Sequence, residues 1–156
     1  MGMDLIGVTP LLEVFDMPTS IAFYRDVLGF DVIATSAPGP KFDWALLSLN
    51  GVELMLNTAY EESDRPPSPD PARTAAHHDT SLYFGCPDPD AACIYLSEKG
   101  IRAREPQVAP YGMRQLYFSD PDGYTLCFQW PVSEQRRNEC KQRYGSNFGT
   151  ANHGFT

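Results

Sequence analysis

The sequence predicts an α+β fold built from two tandem βαβββ modules, and three observations lead there. The first is an internal repeat: IAFYRDVLGFDV at 21–32 returns 71 residues later as ACIYLSEKGIRA at 92–103. Tyr24 and Tyr95, Gly29 and Gly100, and Pro18 and Pro89 are each 71 apart, while NGVELMLN (50–57) matches DGYTLCFQ (122–129) at an offset of 72. Few positions are identical, but their order and nearly constant spacing mark one supersecondary unit written twice. The second observation is periodicity, since each half carries extended apolar runs around a single helical stripe. The third is length: 156 residues suffice for one domain with a real core and are too few for two ordinary ones.

Module one is expected at about 5–57, beginning with a strand in the apolar run IGVTPLLEVF. Ile21, Tyr24 and Leu28 then form a helical stripe, and Gly29 supplies a left-handed stop. Three strands follow at roughly 30–36, 42–49 and 52–57. Module two, at about 79–131, repeats the plan with a strand in DTSLYFGC. Its helix has Asp88 as N-cap and Pro89 in the first position, where a missing N–H is harmless. Ala92, Tyr95 and Leu96 share a face, Gly100 ends the helix, and strands are expected at 101–108, 113–119 and 124–130. The segment 58–78, rich in Pro, Ser and charge, reads as a mobile connector. Residues 1–131 thus form one domain. The tail 132–156 is predicted to hold a short helix near 133–143 and then a disordered or partner-docked end.

Twenty acidic and twelve basic side chains give a net charge of −8, which disfavours nucleic acid as a partner and suits a cationic ligand. Acidity also simply maintains solubility. No run of eighteen apolar residues predicts a membrane span, and MGMDLIGVTP has no basic-then-apolar signal pattern, so a cytoplasmic location is expected. The cysteines Cys86, Cys93, Cys127 and Cys140 show no paired spacing and read as reduced, mostly packed thiols.

FYRDVLGF at 23–30, preceded by Asp16, and FSDPDGYTLCFQWP at 118–131 resemble the vicinal-oxygen-chelate superfamily. That superfamily holds glyoxalases, extradiol dioxygenases, fosfomycin-modifying enzymes and bleomycin-binding resistance proteins, and the resemblance covers about 5–131. It implies curved mixed sheets around a cleft, and a homodimer. Metal-using members hold a divalent ion through His, Glu or Gln on the first and last strand of each module. Carried over, those positions are Thr9, Met55, Ser81 and Cys127. Two neutral hydroxyls, a thioether and a thiol are not a set for hard or borderline cations, so no metal and no cofactor are expected. The competing possibility uses Glu53 with His77 or His78, although adjacent histidines beside a connector are more often solvent-exposed.

Strand alternation gives the face on which a ligand would lie. From module one it offers Thr9, Leu11, Glu13, Trp44, Leu46, Glu53, Met55 and Asn57; from module two Ser81, Tyr83, Gln115, Tyr117, Thr125, Cys127 and Gln129. Aromatics, amides, hydroxyls and two carboxylates suit an organic molecule held by stacking and a few directed hydrogen bonds. Trp44, Tyr83 and Tyr117 equally suit simple packing. Cys127 has no neighbouring histidine to activate it and reads as inert, while Arg114 offers an anion contact. The leading expectation is a small-molecule binder that needs no metal. The alternatives are a metal-dependent lyase, isomerase or dioxygenase with unusual ligands, and a regulatory or scaffold module with a vestigial cleft.

Overall fold

A computed structural model describes residues 2–144. The chain divides into two compact units, 1–69 and 70–156. The first unit contains β1 (Leu11–Val14), α1 (Met17–Ile21) running into a π-helical turn (Ala22–Val27), β2 (Asp31–Thr35), β3 (Trp44–Leu49) and β4 (Val52–Thr58). The second contains α2 (Pro71–Ala76) with a 3-10 turn (His77–Asp79), β5 (Ser81–Gly85), α3 (Pro89–Glu98), β6 (Gln107–Val108), β7 (Met113–Ser119), β8 (Thr125–Pro131) and α4 (Glu134–Tyr144). Each unit has a four-stranded mixed sheet, ordered β1-β4-β3-β2 and β5-β8-β7-β6. In both, the first strand runs parallel to the last and the remaining pairs are antiparallel. The fold is therefore α+β with the βαβββ unit repeated, as the sequence predicts.

The registers carry the repeat to single residues. Leu11 lies opposite Met55 in one sheet, and Tyr83 opposite Cys127 in the other, so both partners shift by 72. One face of each sheet packs under its helix. In the first unit Leu12, Val14, Ala45, Leu47, Leu54 and Leu56 are at most 2% exposed, and Met17, Ile21 and Tyr24 from the helix are buried with them. In the second, Leu116, Phe118 and Leu126 pack with Leu96. Fully burying one such leucine stabilises the fold by roughly 1.5–3 kcal/mol. Asp16 and Asp88 cap the two helices through the backbone N–H groups of Thr19 and Ala91. Gly29 (φ 86°) and Gly100 (φ 76°) terminate them in the left-handed region.

Four details depart from expectation. Pairing on the first strand starts only where Met55 N–H reaches the Pro10 carbonyl, so Thr9 precedes β1. The sixth strand shrinks to Gln107–Val108 plus a single bridge between Ala103 and Phe118. Pro106, which has no N–H to give the ladder, separates the two. The first helix widens into a π turn that buries the adjacent side chains of Phe23 and Tyr24, something a regular stripe does not do. Part of the connector is ordered: Asp70 caps α2 through Ala72 N–H, and Pro71 occupies its first turn. The tail helix is present as α4, and 145–156 lies outside the described residues. Among the described residues, no helix is long and apolar enough to cross a membrane.

Candidate functional site

In the first unit, Leu11, Glu13, Trp44, Leu46, Glu53, Met55 and Asn57 line the face of the sheet opposite the helix, and all are half-buried or exposed. Leu11 and Leu46 flank Met55 in the ladder, and Trp44 stands opposite Asn57. Asn57 donates its side-chain amide to both Glu13 carboxylate oxygens at 3.2 and 3.3 Å. Glu53 is exposed opposite Ser48. The result is an apolar centre with an indole and a carboxamide–carboxylate pair at one end.

The second unit's open face is more ordered. The Tyr117 hydroxyl donates to Gln115 Oε1 at 3.1 Å, so the contact between the Tyr83 and Tyr117 hydroxyls, also 3.1 Å, is donated by Tyr83. Gln115 spends both amide hydrogens, on Gln129 Oε1 at 2.9 Å and on the Tyr111 hydroxyl at 2.8 Å. These bonds fix the direction of every link. The Tyr83 oxygen is left able to accept and the Tyr111 hydroxyl able to donate, which is the kind of directed polarity that orients a ligand. The Tyr83 and Tyr117 rings meet edge-on at 6.2 Å. Burial raises the Cys127 thiol above its ordinary value. Cys127 is fully buried beneath this network and has the environment of an inert thiol.

Tyr111 belongs to the network although alternation did not select it. The tight turn in which Gly112 N–H reaches the Ala109 carbonyl, with Gly112 at φ 79°, swings its ring to Gln115. Ser81 and Thr125 face each other at the other end of the open face. Arg114 is on the helix-covered side of β7, where its guanidinium forms a two-pronged pair with Asp90 of α3 rather than an anion site on the open face.

The family's metal positions do not fit a cation. Leu11, not Thr9, stands beside Met55, and Tyr83, not Ser81, beside Cys127. A thioether, a buried thiol and an alkyl or phenol group offer no ionised or imidazole donor. Of the two candidate histidines, His77 and His78, the second is exposed. His77 is not: half-buried, it stacks on Tyr124 at 4.0 Å and 8°, with Nδ1 at 2.7 Å from the Asp122 carbonyl. The ring thereby anchors α2 to the DPDGY turn. Among the described residues no three His, Cys, Asp or Glu side chains come together as a metal cluster.

Two mixed sheets of this topology with a paired-module register define a vicinal-oxygen-chelate protein. The profile of the Glyoxalase/Bleomycin resistance protein/Dioxygenase superfamily matches residues 8–128, and the chain belongs to that superfamily. No curated protein matches it. Among solved structures it is similar to TnmS3, an antibiotic-binding protein from Streptomyces sp. CB03234. The two share 28% identity over 84% of this chain and 100% of that one, with a TM-score of 0.62. A bleomycin resistance determinant encoded on the transposon Tn5 shares the fold at 21% identity, covering 83% and 100% of the two chains with a TM-score of 0.62. TioX from Micromonospora sp. ML1 does so at 17% identity, covering 81% and 100%, with a TM-score of 0.61.

Proposed function

We propose that this chain binds a small organic molecule, aromatic or cationic, on the open faces of its sheets without a metal, and that it sequesters this ligand rather than transforming it. The observation that carries the reading is the Tyr83–Tyr117–Gln115 chain with its branches to Gln129 and Tyr111. Such a network holds aromatic edges and hydrogen-bonding groups in fixed directions without supplying an activated nucleophile. Glu13 and Glu53 add negative charge, and Trp44 offers an aromatic face for cation–π contact worth roughly 0.5–2 kcal/mol. Similarity to an antibiotic-binding protein at 28% identity supports the same reading. The ligand contacts proposed are Thr9, Glu13, Trp44, Glu53, Met55, Ser81, Tyr83, Gln115, Tyr117, Cys127 and Gln129, with Tyr111 added.

The proposal includes a cytoplasmic homodimer. Supporting it, Met3, Leu5, Ile6 and Val8 are each at least 81% exposed immediately before β1, an apolar run of the kind that subunit contacts cover.

The test is calorimetric titration of the tag-free chain in EDTA with two cationic aromatic probes, metal-free bleomycin and ethidium. Saturable binding weakened several-fold by Tyr83→Ala is expected, with Tyr117→Phe intermediate. Elemental analysis accompanies it, comparing wild type with a variant carrying Glu53→Ala, His77→Ala and His78→Ala. Stoichiometric metal lost in that variant, or probe binding that requires added divalent metal, would overturn the reading.

A further inference from the structure

We infer that the first unit carries a second ligand site, on the helix-covered side of its sheet, for a small apolar molecule bearing one ammonium group, with Asp43 as its counter-ion. A cavity of about 550 Å³ opens there, between α1, β2 and the ends of β3 and β4. That is within the range of small-molecule pockets. Val32 pairs with Leu47, Thr35 with Ala45 and Thr58 with Val14, all partners on the helix-covered side. This site is therefore distinct from the open face of the same sheet.

The repeat provides an internal control. The corresponding place in the second unit is a pocket of about 250 Å³ lined by Asp88, Pro89, Arg114 and Trp130. Trp44 and Gln115 occupy the same ladder position opposite Asn57 and Gln129, so Asp43 corresponds to Arg114 and Thr58 to Trp130. Trp130 is 5% exposed and narrows the space; Thr58, at the matching position, is smaller and leaves the wider cavity. The charge is inverted at the same time. Arg114 is neutralised by Asp90, whereas the position matching Asp90 is Thr19, which is turned to the Asp16 cap.

The cavity's own charges point to the sign of the ligand. Arg65 pairs with Asp16, Lys41 with Glu62 and Arg25 with Asp26, so these cations are already matched. The Thr58 hydroxyl donates to the Asp43 backbone carbonyl at 2.9 Å and lies 3.3 Å from its carboxylate, and among the described residues no cation pairs with that carboxylate. Val32, Phe42 and Tyr60, with the buried Met17 and Ile21 behind them, give the cavity an apolar lining, and the exposed Asp43 lies on that lining as well. An ammonium group on an apolar body satisfies both features. A carboxylate finds Arg25, Lys41 and Arg65 already paired and meets the charge of Asp43 as well.

The test is amide chemical-shift mapping on the full chain with 2-phenylethylammonium, compared with 3-phenylpropionate and 2-phenylethanol. Saturable shifts at Ile21, Val32, Phe42 and Thr58 are expected for the ammonium probe, with at least tenfold weaker binding of the other two. Asp43→Asn is expected to abolish that preference, and Thr58→Trp, copying the second unit, to abolish binding. Asp43→Asn decides the matter if Thr58→Trp fails to fold. Absence of shifts at these amides, or a preference unchanged in Asp43→Asn, would overturn the inference. Shifts confined to Trp44, Tyr83 and Tyr117 would also overturn it while leaving the open-face proposal standing.

Discussion

The two units share a strand order, a register and a helix cap, yet each uses its two sheet faces differently. The second unit spends its polarity on the open face, where Tyr83, Tyr117, Gln115, Gln129 and Tyr111 bond one another, and closes the helix side with Trp130. The first unit keeps an apolar centre at Met55, Leu11 and Leu46 on its open face and leaves the helix side hollow beside Thr58. The repeated backbone sets where side chains point. What occupies those directions is free to diverge, because helix packing is satisfied by the alternate positions alone.

The comparison can be broken first at the shared core. Leu54 and Leu126, 72 positions apart and 1% and 0% exposed, do the same work in the two sheets. Replacing either with Ala is expected to cost about 2–5 kcal/mol, by lost transfer energy and an unfilled cavity, in chemical denaturation. A much smaller loss for one of them would mean that its sheet tolerates collapse.

The turn glycines give a sharper contrast. Gly51 and Gly123 both have positive φ, 80° and 86°. A side chain at either is expected to cost about 1–2 kcal/mol through backbone strain. At Gly123 an added Cβ also lies 2.6 Å from the Thr74 carbonyl oxygen, because α2 is seated on that turn. Gly123→Ala is therefore expected to exceed Gly51→Ala by about 1–3 kcal/mol, the usual range for overpacking. Equal losses in thermal unfolding would show that α2 yields.

The smallest effect separates the helix caps. Asp88 takes the N–H of Ala91, while Asp16 takes the N–H and hydroxyl of Thr19 and pairs with Arg65. Removing an N-cap costs about 0.5–2 kcal/mol, and Asp16→Ala is expected at the upper end and Asp88→Ala at the lower. The Thr19 hydroxyl bond leads in holding the Asp16 carboxyl below its ordinary value; Arg65 adds to this and desolvation opposes it. A depressed carboxylate stabilises the fold above its unfolded pKa of about 3.9 and ceases to do so as pH falls through the lower folded value. Thr19→Val is expected to raise the Asp16 titration midpoint measured by NMR; an unchanged midpoint would remove the hydroxyl from that account.

Much of this was legible without coordinates. The repeat, both helix-ending glycines, the Asp88 cap and the strands at 113–119 and 124–130 all followed from spacing and alternation, which depend on local geometry alone. The open-face residues were legible for the same reason, since a period of two assigns faces as soon as one residue is placed. Alternation does not reach Tyr111 because a turn breaks the period, and the ion pair of Arg114 is not visible in the sequence because its partner, Asp90, is 24 residues away. His77 looked like a connector histidine until the DPDGY turn appeared beneath it.

By itself, then, the sequence determined two copies of a βαβββ unit and the face each strand residue occupies. Those are consequences of periodicity and backbone conformational limits. The tertiary structure alone decided which hydroxyl donates to which, which charges cancel, and that a threonine in place of a tryptophan leaves a cavity. Each of these depends on distances between residues far apart in the chain, which packing sets and local sequence does not encode.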